Sequence, residues 1–130
     1  MRIYVFGNLL YEKDSLPIKL IHLLKKEFPK IEFIEFEPTE GIETLKEKNL
    51  IIIDTIQGIN DVVLFKEIEK IKTESIVSLH DFDLGYNLKL LKKFGLIENV
   101  FIIGVPENIE VNMAIEKIKS ILIKLSLNIF

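Results

Sequence analysis

Three side chains in this chain, Asp14, Asp54 and His80, are of the types that hold a divalent metal or move a proton; Asp54 and His80 fall where apolar segments end, and Asp14 just before one begins. Two carboxylates and one imidazole make an oxygen and nitrogen donor set suited to a first-row ion such as nickel, zinc or manganese, with positions left open for water or a substrate group. The chain has no cysteine. Disulfides, thiolate zinc sites, iron-sulfur clusters and a cysteine nucleophile are thereby excluded, and any metal must be held by oxygen and imidazole. Singly, each residue has a structural explanation: Asp14 as a helix cap, Asp54 as the end of a strand, His80 as a packed or surface histidine. A carboxylate directly after four apolar residues, as Asp54 is, is poorly solvated and needs partners. Their joint occurrence at one sheet edge is what favours a site.

Other chemistries find no support. Gly7 stands alone where a dinucleotide turn needs several glycines, and no phosphate-binding loop spacing occurs. None of the five serines sits in a G-x-S-x-G elbow. His22 falls inside a helical segment, which leaves His80 as the catalytic imidazole. The net charge of -3 and the scattered lysines give no stripe able to track a phosphate backbone, so nucleic acid is not an expected partner.

The elements that must position the trio follow from periodicity. With 130 residues and 48% hydrophobic content, the chain suits one domain spanning 1–130. Ile3 to Phe6 reads as a strand buried on both faces, and Leu16, Leu20, Leu23, Leu24 and Phe28 recur at helical spacing, with Asp14 or Ser15 as N-cap and Pro17 in the first turn. Ile31 to Phe36 alternates as a strand ended by Pro38, 39–48 reads as a short surface helix, and Leu50 to Ile53 as a third strand terminated by Asp54. Only eight residues separate Ile53 from the next apolar run, Val62 to Phe65. A parallel crossover needs about a dozen or more, so this strand is expected to run antiparallel. Ile76 to Leu79 is expected to be extended, 84–94 helical and closed by Gly95, Val100 to Val105 a strand, and Glu107 to Leu127 the closing helix. The expected fold is α/β: a three-layer α/β/α sandwich around a five-stranded, mostly parallel sheet with the strand at about 62–66 reversed. Ligands bind such sheets beyond the carboxyl ends of the parallel strands, where Asp14, Asp54 and, through the returning segment, His80 fall. The opening apolar run is too short for a signal peptide, and nowhere do about 18 apolar residues run unbroken, so a cytoplasmic, soluble, non-membrane protein is expected.

The runs FGNLLYEKDSLP, LIIIDTIQG and SLHDFDLG carry the trio, and with the weaker FEPTEG and NVFIIGVPE they occur in the order and register of one family. The chain resembles the nickel-iron hydrogenase maturation endopeptidases over nearly its whole length. Phe6 replaces a usual first glycine of that family's opening turn, and Glu37-Pro38 stands where D-G-G is frequent; the three ligand positions are intact. The resemblance implies a hydrolase that removes the C-terminal extension of a hydrogenase large-subunit precursor once nickel is inserted. Asp14, Asp54 and His80 would dock on nickel borne by the substrate, with zinc or cadmium able to replace it in vitro, and act as the catalytic set. Both metal polarisation of the carbonyl and carboxylate activation of water are open to that set. A monomer acting on one protein partner is expected. The alternative function on the same fold is a non-catalytic nickel-sensing or precursor-binding maturation factor.

Overall fold

The structure, a computed structural model, describes residues 1–6, 16–36, 47–66, 77–78, 95 and 97–129. Its elements are β1 (Arg2–Phe6), α1 (Leu16–Glu27), β2 (Glu32–Phe36), β3 (Asn49–Gln57), β4 (Val63–Phe65), β5 (Val77–Ser78), β6 (Asn99–Pro106) and α2 (Val111–Ile129). The β-branched and aromatic runs IYVF, LIII and VFII supply strands that suit a pleated surface covered on both sides.

The strands form one sheet in the order β2-β1-β3-β6-β4, with β5 attached to the end of β3. β2, β1, β3 and β6 are mutually parallel where they pair. The reversed strand is found where the short connection required it: β4 runs antiparallel to β6, with Val63 opposite Gly104 and Phe65 opposite Ile102. The sheet exceeds the expected five strands by β5, a two-residue antiparallel pairing of Ser78 with Ile56 and Val77 with Gln57, within the segment expected to be extended.

Alternation along the strands divides the apolar residues into two cores. Ile3, Val5, Ile51, Ile53, Ile103 and Val105 meet α1 and α2 on one face. Tyr4, Phe6, Phe36, Ile52, Ile56 and Ile102 line the other. α1 buries Leu16, Leu20, Ile21 and Leu24 on a single stripe, carries Lys25 and Lys26 in its last turn where the helix dipole favours cations, and ends before Pro29. The expected helices over 39–48 and 84–94 fall almost wholly outside the described residues.

Two boundaries differ from the sequence expectation by more than two residues. β3 does not stop at Ile53: it continues through Asp54, Thr55 and Ile56 to Gln57, because its ladder with β6 persists to Ile56 opposite Pro106. Asp54 is therefore inside the strand rather than at its terminus. Gly58, at φ 89°, then turns the chain toward β4. The closing helix starts at Val111, not Glu107, because Glu110 is the residue that caps it. The Glu110 carboxylate accepts from the backbone N–H of Asn112 and of Met113, each at 3.1 Å, and its carbonyl accepts from Ala114 at 3.0 Å.

Candidate functional site

Asp54 and Thr55 are the buried polar side chains among the described residues, both 0% exposed. As neighbours in one strand they point to opposite faces. Thr55 continues the stripe of Ile51 and Ile53 on the helix-covered face, and Asp54 continues the stripe of Leu50 and Ile52 on the other. One row of the sheet explains the surroundings of Asp54. Phe36 is level with Phe6. Val5 is level with Ile53, so one further step brings Phe6 level with Asp54. Asp54 is level with Gly104, and Gly104 with Val63.

On the β1 side, the row is filled by aromatic rings: Phe6 and Phe36 pack with centroids 5.3 Å apart and planes tilted by 31°. On the β6 side, Gly104 leaves room that other residues occupy. A Cβ there would meet Ile56 Cδ1 at 2.8 Å and the Phe65 ring at 2.9 Å, so glycine is what lets these side chains close over the sheet beside the carboxylate. An apolar stretch of this kind excludes water from a charged group, which strengthens whatever electrostatic contact it makes.

Beyond Asp54, at the carboxyl end of β3 and β6, lies an open cavity of about 230 Å³. Ile56, Gln57 and Asn60 line it from the β3–β4 turn, and Pro106, Glu107 and Asn108 from the β6–α2 turn. This is the edge at which parallel α/β sheets bind ligands. Glu107 Oε2 and Thr55 Oγ1 are both buried without a hydrogen-bond partner among the described residues, an uncommon state for native polar atoms. Sequence reasoning passed over Glu107 as a site residue, although the signal was present: it is the first acidic residue past the strand that ends at Pro106.

The opposite end of the strands serves structure. Tyr4 Oη donates to Glu47 Oε1 at 2.8 Å, and Arg2 bridges Glu47 at 3.3 Å and Glu32 at 3.1 Å. Burial, then the contact with Glu47, pushes the Tyr4 hydroxyl above its ordinary pKa. On the edge strand side, the Asp61 carboxylate, held below its ordinary range chiefly by a hydrogen bond from Lys117, ties the start of β4 to α2.

Of the sequence-derived trio, the structure describes Asp54; Asp14 and His80 lie outside the described residues. Among the described residues no group of three His, Asp or Glu side chains could hold a metal, and His22 is exposed on α1. No described helix is long and apolar enough to cross a membrane.

Comparison with known proteins gives the fold and the family. The chain superposes on the solution structure of the endopeptidase HycI from Escherichia coli with a TM-score of 0.63, at 17% identity, covering 97% of this chain and 91% of that one. It superposes on the crystal structure of an uncharacterized protein from Wolinella succinogenes with a TM-score of 0.59, at 15% identity, covering 95% of this chain and 97% of that one. At such identities the likeness is one of fold. No curated protein matches the chain in sequence. The family model for HycI, hydrogenase maturation protease, matches residues 18–121, a span that contains Asp54 and His80 and begins past Asp14. The chain belongs to the hydrogenase maturation protease family, and its activity is that of a hydrolase, a protease.

Proposed function

We propose that this endopeptidase removes the C-terminal extension of a nickel-iron hydrogenase large-subunit precursor after nickel has been inserted, and that Asp14, Asp54 and His80 recognise the nickel carried by that substrate. The observation that carries the reading is Asp54 itself: a carboxylate fully buried inside β3 directly after four apolar residues, three residues before the end of a strand at whose edge such sheets bind ligands. A buried carboxyl group in that position is costly to the fold and is retained where chemistry requires it.

Chain connectivity supports the other two members. Ser78 stands opposite Ile56. His80 follows Ser78 by two residues as Asp54 precedes Ile56 by two, and two residues of chain span at most about 7 Å. Asp14 comes two residues before Leu16, the first residue of α1, which packs against β1, β2 and β3.

Bound to the substrate's nickel, two carboxylates and an imidazole complete a mixed oxygen and nitrogen ligation that a first-row ion accepts, and they bring the adjoining peptide to the protein's edge. Hydrolysis then adds a water oxygen to the scissile carbonyl carbon, breaks the C–N bond and delivers a proton to the departing amine. On this reading the reaction takes place in the cytoplasm and needs a single copy of the chain.

The test is processing in cells. Asp14→Ala, Asp54→Ala and His80→Ala, each expressed with the precursor, are expected to leave it uncut while remaining folded. Normal processing by all three variants defeats the reading.

A further inference from the structure

Two sides of Asp54 differ in what can reach them. Toward β1 and β2, the row is occupied by the buried rings of Phe6 and Phe36. Along β3 and β6, Ile56 and Pro106 lead directly into the 230 Å³ cavity between the β3–β4 and β6–α2 turns. Ile56 is two residues from Asp54 on the same face, about 7 Å along the strand. The exposed amide side chains of Gln57, Asn60 and Asn108 stand at this cavity, and Glu107 lines it with one carboxylate oxygen buried and lacking a donor. Amides are both donors and acceptors, matching a peptide backbone, whereas a desolvated carboxylate oxygen lacks one thing, an N–H.

We infer that this cavity is the subsite for the substrate polypeptide next to the scissile bond, with Glu107 accepting a hydrogen bond from an N–H donor of that segment. Substrate enters beside β6, because the aromatic pair closes the β1 side. The ligand class is an extended peptide whose backbone meets Gln57, Asn60 and Asn108, and the buried oxygen of Glu107 gains its donor in the complex when the side chain turns into the cavity. A polar group left unsatisfied in the free protein weakens the fold and strengthens binding, since its partner arrives with the ligand.

This inference rests on the proposed function, and one set of measurements separates the two. Steady-state cleavage of the nickel-loaded large-subunit precursor from the same genome is followed for the wild type, Glu107→Leu and Asn60→Ala, alongside thermal melting. Glu107→Leu is expected to melt at or above the wild-type temperature while kcat/KM falls at least about tenfold, with the loss carried by KM, as removal of a charged hydrogen bond to bound substrate would give. Asn60→Ala, at an exposed position, is expected to raise KM by about two- to fivefold. A KM within twofold of wild type for both variants, with the wild type cutting normally, overturns the subsite alone. A wild type that leaves the precursor intact overturns the function and the subsite together.

Discussion

Asp54 on β3 lies directly across from Gly104 on β6, in a parallel register that runs unbroken from Asn49 opposite Asn99 to Ile56 opposite Pro106. The pairing sets a carboxylate beside a position with no side chain of its own, which Ile56, Phe65 and Ile59 cover. Gly104→Ala places a methyl group within 3 Å of two of these side chains. Both contacts are with side-chain ends, so the expected outcome is a folded protein destabilised by about 1–3 kcal/mol, read from chemical denaturation.

Asp54→Asn keeps the shape of the side chain and removes its charge. Precursor processing is expected to fall at least about a hundredfold, the scale at which a metal-docking or proton-transfer group matters. Circular dichroism and melting establish that the variant is folded.

Leu24 on α1 is fully buried against β1, β2 and β3 from the face opposite to Asp54. Leu24→Ala is expected to lower stability by about 2–5 kcal/mol through lost burial and an incompletely closed cavity. Its effect on KM at a temperature where it remains folded should be small.

The Asp61–Lys117 pair yields a pH prediction. Because the folded-state pKa of Asp61 lies below its unfolded value, the pair contributes stability that is present above the unfolded aspartate range and is lost as pH falls through the folded pKa. Asp61→Asn should therefore melt below the wild type at neutral pH, with the difference shrinking as the solution is acidified through the carboxylate range. Melting curves at neutral and acid pH check it; a difference that grows on acidification is the contrary result.

Much of this was legible from residues alone. Apolar periodicity marked β1, α1, β2 and the stripe of α2, and the short connection after Ile53 fixed the reversed direction of β4. The boundaries that failed did so for different reasons, tertiary pairing that carries a strand through polar residues in β3 and a cap placed later than the pattern suggests in α2. Asp54 and Thr55 interrupt the hydrophobic pattern, yet the ladder to Gly104 and Val105 holds them in strand. Glu107 and Asn108 read as the first turn of a helix, yet Glu110 supplies the cap. The importance of Asp54 could be read from a carboxylate following Ile51, Ile52 and Ile53. That Phe6 would stand level with it depends on a parallel pairing between segments far apart in the chain, which no local pattern encodes.

The account turns on whether this protein cuts a nickel-bearing precursor by way of Asp54. Intact-mass spectrometry of nickel-loaded large-subunit precursor, after incubation with wild type or with Asp54→Asn, measures that directly. The wild type should convert the precursor to a lighter species lacking its C-terminal extension, and Asp54→Asn should leave its mass unchanged. An unaltered mass with the wild type, or equal conversion by both proteins, would contradict the account.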